Sequence, residues 1–461
     1  MSFSAASLTY LGGIRTPHEM STDVTPLPGA YPPDGETKDG MNYSGKEFAL
    51  DCQRQEFLIG TRYWRIARLA LIEPALEVDG DVNTFPIAPY VAPTMVEVSG
   101  PPQRPESPTT ITPIGQSYFE MDKLLDPYGC ELHGILPVGD TLLVNGAKYF
   151  DSGNTTRRAF FACDWPPAGA AADYRPNRTP FKALGNELEQ GWMAGGMCPI
   201  PAGYQAALKG DVLSGNSNLP IISRGSQGPC ATSFWAADVR ATDPIPCTTL
   251  VGYPGQHFMP ESPWNSVEPD DIYNQNTLIN GVAIVGDTVV FIGSHGYGPA
   301  CYGIGSANPE DHEQDINGEH FCYDPAVSNH GTHAYPYRIQ VWHYPVADLI
   351  RVANGECAPW DLRPEWFELT VPFHRSDYVT GPCAFDEATG RLYVSVYAAD
   401  GYGGEPGPVI YVWQYDGAAA PPVTPPADCT AEHEALAAIH ADAAVALGAL
   451  RRIYARSMPN R

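Results

Sequence analysis

With 461 residues and a formal net charge of −26, the chain is unsuited to holding a phosphate backbone, which needs clusters of Lys and Arg. Gly 45 and Pro 46 accompany 43% hydrophobic and 11% aromatic residues, which excludes disorder and points to a folded, turn-rich chain. No apolar run approaches the roughly 18 residues of a membrane span, so no membrane insertion is expected.

The N-terminus, MSFSAASLTYLGGIRTP, lacks the basic stretch and following apolar stretch of a secretory leader. Synthesis and first residence in the cytosol are therefore expected. Within it, LTYLGGIRTP (8–17) reads as a strand that closes a sheet formed by the far end of the chain.

Four stretches then repeat one plan, an apolar strand, a tight turn and a second strand. They are ALDCQRQEFLIGTRYWRIARLAL (49–71), LPVGDTLLVNG (136–146), AIVGDTVVFIG (283–293) and AFDEATGRLYVSVYAADG (384–401). A weaker fifth copy runs from GWMAGGMCPIP through CATSFWAADV (191–239). Outgoing strands with alternating aromatics follow, as in RRAFFACDW (157–165), YRIQVWHYPVADL (337–349) and VIYVWQYD (409–416). Short strands joined by Gly, Asp and Asn turns form antiparallel hairpins. A unit of this kind cannot cover its own apolar face, so the copies must stack around an axis. The expected fold is all-β, a β-propeller of five or six blades over 1–416. A pair of β-sandwiches is the rival.

The tail differs. GAAAPPVTPPAD (417–428) is a stiff Pro-rich linker, and residues 429–461 carry an Ala-rich helix. Leu436, Ile439, Ala443, Leu447, Leu450 and Tyr454 form its apolar stripe, suited to oligomerisation or anchoring because a lone amphipathic helix gains little stability in water.

Chemistry-bearing residues concentrate between 295 and 344. Five of the twelve histidines lie between 295 and 333. His295, His330 and His333 are the alternative for a metal site, but H-x-x-H and H-x-C match no usual zinc spacing. Hydrogen-bonded loop histidines are the main reading, with no metal and no cofactor. The acids of NPEDHEQDINGEH (308–320) and DGDVN (79–83) lack the EF-hand order and read as solvated tips. Of eleven cysteines, Cys52, Cys163, Cys198, Cys230 and Cys383 are expected reduced and buried. Cys301 and Cys322 are the pair expected to form a disulfide if the protein leaves the cell. No G-x-S-x-G or phosphate-binding Gly loop is present. Loop aromatics remain as a binding surface for sugar or protein: Trp264, Tyr297, Tyr302, Tyr335 and Tyr402.

The run GSHGYGPACYGIGS, CYDPAVSNHGTHAYPYRIQVWHYPVADL, PWDLRPEWFELTVPF and GPCAFDEATGRLYVSVY, within 283–416, resembles uncharacterised β-propeller proteins of bacteria and of tailed-phage structural gene sets. GTHAYPY marks that resemblance, which implies a propeller but transfers no functional residue. The function it implies is that of a non-enzymatic phage virion protein, shown on tail or capsid for host-surface attachment or particle decoration. The partners implied are other virion proteins, further copies of the chain through its C-terminal helix, and a host-surface glycan or protein. Two alternatives stand beside it: a propeller hydrolase or lyase acting on carbohydrate or a small ester, and a bacterial interaction module.

Overall fold

The computed structural model describes residues 3–17, 47–60, 65–79, 81–97, 130–148, 156, 158–170, 173–174, 176–185, 190–216, 225–263, 266–328, 330–371, 380–397, 399 and 407–417. Strand β1 (Leu8–Arg15) stands far in sequence from the sheet it joins. The first sheet then runs through β2 (Phe48–Asp51), β3 (Glu56–Gly60), β4 (Arg65–Ala70) and β5 (Tyr90–Glu97). The second contains β6 (Cys130–Val138), β7 (Thr141–Lys148) and β8 (Phe160–Asp164). The short β9 (Asp173–Tyr174), which follows it in the chain, pairs back onto β5. The third sheet comprises β10 (Met197–Pro199), β11 (Val212–Gly215), β12 (Ala231–Phe234) and β13 (Cys247–Val251).

The fourth sheet is interrupted. Strands β14 (Leu278–Val285) and β15 (Thr288–Gly296) form a hairpin, and the sheet resumes with β20 (Tyr337–Pro345) and β21 (Glu365–Glu368). Between them lies a separate sheet of β16 (Cys301–Ser306), β17 (Gln314–Ile316), β18 (Glu319–Tyr323) and β19 (His330–His333). The fifth sheet holds β22 (Thr380–Asp386), β23 (Arg391–Val396) and β24 (Val409–Tyr415), and β1 completes it by pairing antiparallel with β24.

The leading strands of these sheets touch in a closed cycle: β2 meets β6, β6 meets β10, β10 meets β14, β14 meets β22, and β22 meets β2. Five apolar cores fill the gaps between successive sheets. Leu58 and Ile66 pack with Ile135 and Phe161; Leu143 and Phe160 with Val212 and Phe234; Leu213 and Leu250 with Phe291 and Trp342. Val290 and Val341 pack with Leu392 and Trp413, and Phe57 and Ile59 with Tyr393 and Val412. This is a β-propeller.

The cores also explain the strand sequences. In β15, Val290 and Ile292 face one core while Val289 and Phe291 face the other. A sheet buried on both faces reads as a continuous apolar run instead of an alternating one. Each such side chain, fully buried, stabilises the fold by about 1.5–3 kcal/mol.

Four short α-helices among the described residues add to the expected all-β architecture: Gln190–Met193, Ala202–Leu208, Ala236–Ala241 and Val346–Ala353. The expected strand through YRIQVWHYPVADL ends at Pro345, where the helix begins. Proline supplies no N–H to extend the ladder but suits the start of a helix. Val346, Leu349, Val352 and Ala353 then bury one face. A second correction concerns Cys52, which is exposed in the β2–β3 turn; Cys163, Cys198, Cys230 and Cys383 are buried. Residues 418–461, and with them most of the Pro-rich linker and the helix stripe, lie outside the described residues. Among the described residues, no helix is long and apolar enough to cross a membrane.

Candidate functional site on the inserted sheet

The inserted sheet grows from the end of the β15–β20 pair. Gly296 and Tyr337 are register partners, and the Tyr297 and Gly298 amides donate to the carbonyls of Pro336 and Ala334. Strand order is β17-β18-β16-β19, with β16 and β18 parallel and the other pairs antiparallel. Along β16, Cys301, Gly303 and Gly305 turn inward while Tyr302 turns to solvent. Glycine is required on the inner face, because a Cβ on Gly305 would lie 1.6 Å from the Val327 carbonyl oxygen.

A buried polar network supports this inner face. His333 Nδ1 lies 2.8 Å from Asp324 Oδ2, and its Nε2 lies 3.2 Å from the Gly303 carbonyl oxygen. Both neighbours are acceptors, so the ring is held between two oxygens. The Asp324 carboxylate also accepts from the Tyr337 hydroxyl and from the amides of Ala326 and Val327. The Tyr337 oxygen in turn accepts the Ala334 amide at 2.9 Å. Side-chain exposure is 2% at His333 and 0% at Asp324. A buried charge is tolerated only when hydrogen-bonded in this way.

The Cys301 and Cys322 sulfurs are joined as a disulfide, which ties β16 to β18. His320, two residues before Cys322, brings its ring nitrogen into the same cluster. Among the described residues, Cys301, His320 and Cys322 form the one group of three donors close enough to share an ion. His295, His330 and His333 do not, which corrects the alternative metal assignment. Each is committed elsewhere. His295 is buried in the fourth sheet, its Nδ1 2.7 Å from the Thr277 hydroxyl and its Nε2 3.3 Å from the Pro269 carbonyl oxygen. Burial lowers its pKa to about 4, so it stays neutral. His330 is exposed and meets the edge of the Tyr302 ring at 5.0 Å. His333 belongs to the Asp324 network.

The loop aromatics divide. Tyr302 is 65% exposed, on the outer face of the platform. Tyr335 is half-buried, with Tyr323 and Tyr337 against its ring. Tyr297 lies at the foot, donating to Gln340 Oε1 at 2.7 Å beneath the Arg338 guanidinium. Burial pushes its phenol up to about 12, so it remains a donor. Trp264 and Tyr402 lie outside the described residues. Asp324 escaped the sequence reading, whereas His320 entered it as the first residue of the H-x-C pair. The H-x-C spacing did put His320 and Cys322 on one face of a strand, but nothing in sequence ties Asp324 to His333 nine positions later.

A second recess, of about 870 Å³, lies between the first and second sheets, lined by Arg54, Glu56, Arg68, Asp140, Asp164 and Trp165. Its guanidiniums are already engaged. Arg68 makes a two-pronged bond to Glu56, at 2.8 and 2.7 Å. Arg54 pairs with Asp51 and Asp140 and stacks 4.1 Å above the Trp165 ring. The recess is a cross-sheet brace.

No family model and no curated protein sequence matches the chain. Among solved structures, BamB from Moraxella catarrhalis is similar at 12% identity, over 89% of this chain and 98% of that one, with a TM-score of 0.27. The Pan2 WD40 domain of Neurospora crassa gives 11% identity, 87% and 98% coverage and a TM-score of 0.27. The Cps50 (Swd1) β-propeller domain of Myceliophteria thermophila gives 10%, 80% and 82%, and 0.26. The ring of inner strands, independently of these likenesses, defines the fold.

Proposed function

We propose that this chain is a virion-displayed recognition module, a propeller of five blades that carries the inserted sheet as its contact surface. One observation supports this reading above others. Tyr302, 65% exposed, and its neighbour His330 stand on a sheet whose underside is held by a disulfide and by the His333–Asp324–Tyr337 network. An aromatic ring on a strand held from below is presented with little conformational freedom left to lose, which favours binding. Tyrosine and imidazole suit a glycan or a protein surface. The phage setting rests on the sequence resemblance, and residues 429–461 are read as the segment that oligomerises the chain or anchors it among other virion proteins.

The test has two arms. Antibody against the propeller is applied to particles in the electron microscope, and adsorption of the purified chain to host envelopes is compared with that of Tyr302→Ala and His330→Ala. Labelled particles and a roughly tenfold loss of adsorption, the size of a 1.4 kcal/mol contact, are expected. Unlabelled particles overturn the virion assignment; unchanged adsorption in both variants overturns the contact surface.

A further inference from the structure

We propose that, when the Cys301–Cys322 disulfide is reduced, the inserted sheet binds one zinc ion through the two thiolates and the His320 imidazole. This goes beyond the display function and stands whether or not Tyr302 meets a host surface.

Strand geometry brings the three donors together. His320 and Cys322 lie two apart on β18, so both side chains leave the same face. Cys301 comes from the adjoining β16. One sulfur from each cysteine and a nitrogen of His320 lie within 4.8 Å of one another. Two sulfurs and a nitrogen are the set that zinc takes in preference to oxygen-seeking ions.

A second observation concerns the histidine's Nδ1. Its Nδ1 lies 2.8 Å from Asp315 Oδ1, and Asp315 is its register partner on β17. A carboxylate that accepts the Nδ1 proton fixes the tautomer and leaves the Nε2 lone pair for a metal, the arrangement that backs many zinc-bound histidines.

The surroundings fit a partly sheltered ion. Cys322 is fully buried and Cys301 is 8% exposed, while the His320 side chain is 41% exposed. The three protein ligands leave a fourth position toward solvent, as in sites that keep a water.

The chemistry balances through a dithiol or phosphine reductant. The S–S bond accepts two electrons and two protons, giving two thiols, and the reductant is oxidised by two electrons. Zinc then displaces both thiol protons to solvent, and the sulfurs part to roughly 3.8 Å to accept Zn–S bonds of ~2.3 Å. An added small-molecule disulfide reverses the sequence: it takes up two electrons and two protons to become two thiols, the Cys301–Cys322 S–S bond reforms and the ion is released.

The experiment uses the full chain. Protein reduced with a phosphine is titrated with Co²⁺, followed by thiolate-to-cobalt charge-transfer absorption, and Zn²⁺ is then added in competition. One equivalent of Co²⁺ with that absorption, displaced by Zn²⁺ and absent from oxidised protein, is expected. Cys322→Ser abolishes it, and Asp315→Asn weakens uptake by roughly 10–100-fold. His320→Asn replaces a half-exposed side chain and leaves the cysteines intact, so it tests the site even if a cysteine variant misfolds. It is expected to weaken uptake at least as much as Asp315→Asn. No charge-transfer absorption in the reduced wild type, or unchanged affinity in His320→Asn, overturns the proposal.

Discussion

The carbonyl oxygen of Ala75 lies 2.0 Å from where a side-chain carbon on Gly12 would have to sit. The connection between β4 and β5 crosses the free edge of β1 here, with Gly13 and Ala75 exchanging backbone hydrogen bonds and the Arg15 amide donating to the Pro86 carbonyl. The last strand of the ring is thus held on both sides, by β24 and by the connection between β4 and β5. Gly12 also has φ +121, a conformation open to glycine and strained for other residues. Gly12→Ala is expected to destabilise the protein by roughly 2–4 kcal/mol, read as a lower denaturant midpoint. An unchanged midpoint means that the seam relaxes without cost.

Acid should weaken the fourth sheet through His295. Its folded pKa of about 4 lies below the ordinary 6.5, so the unfolded chain takes up a proton between those values and the folded protein does not. Stability is full above pH 6.5 and falls by about 1.4 kcal/mol per pH unit on acidification. The total loss is roughly 3 kcal/mol, flattening near pH 4. His343, lowered in the same direction by burial, adds to the slope. Urea midpoints across pH 4 to 7 should therefore be less steep in His295→Asn but not flat. An identical slope in the variant removes His295 from the account.

Arg68 and Glu56 form a buried pair, each side chain 7% exposed. Removing one partner leaves a buried charge uncompensated, so Arg68→Leu should cost roughly 3–5 kcal/mol. Adding Glu56→Leu should recover much of that loss. A double variant no better than the single one shows that the stacking of Arg68 over Trp165, at 5.3 Å, matters more than the charge.

Asp324→Asn keeps the shape of the side chain but removes the charge that His333 faces. The inserted sheet should open more readily while the ring stays intact. Hydrogen exchange is expected to quicken by tenfold or more in 301–333, consistent with loss of a charge-assisted bond. It should remain unchanged in β14 and β15. Equal acceleration in both regions contradicts the independence of the platform.

Much of the ring is legible in the chain. GDT in LPVGDTLLVNG and AIVGDTVVFIG marks the β6–β7 and β14–β15 turns, where Gly139 and Gly286 have φ +55 and +63. Apolar runs on both sides of each turn follow from burial on both faces of the sheet. Local pattern says less about the helices, each eight residues or shorter. Val346–Ala353 follows a long strand directly, and only Pro345, the last residue of that strand, marks the change. The inserted sheet was the least legible part. Its parallel β16–β18 pair and the approach of Asp324 to His333 depend on how the loop folds back, which residue spacing does not encode.

The pairing of Leu8 with Tyr415 bears on how force would travel through this molecule. Both ends of the closing pair open at the same edge, so pulling the two chain termini apart would peel β1 from β24 one bond at a time. A load entering at the inserted sheet and leaving through Gly417 takes another path, through β15, β14 and the contact of β14 with β22. The peelable seam is not in series with that path. A tethered copy gripping a surface through Tyr302 would bear tension on its packed cores and leave the β1–β24 seam unloaded.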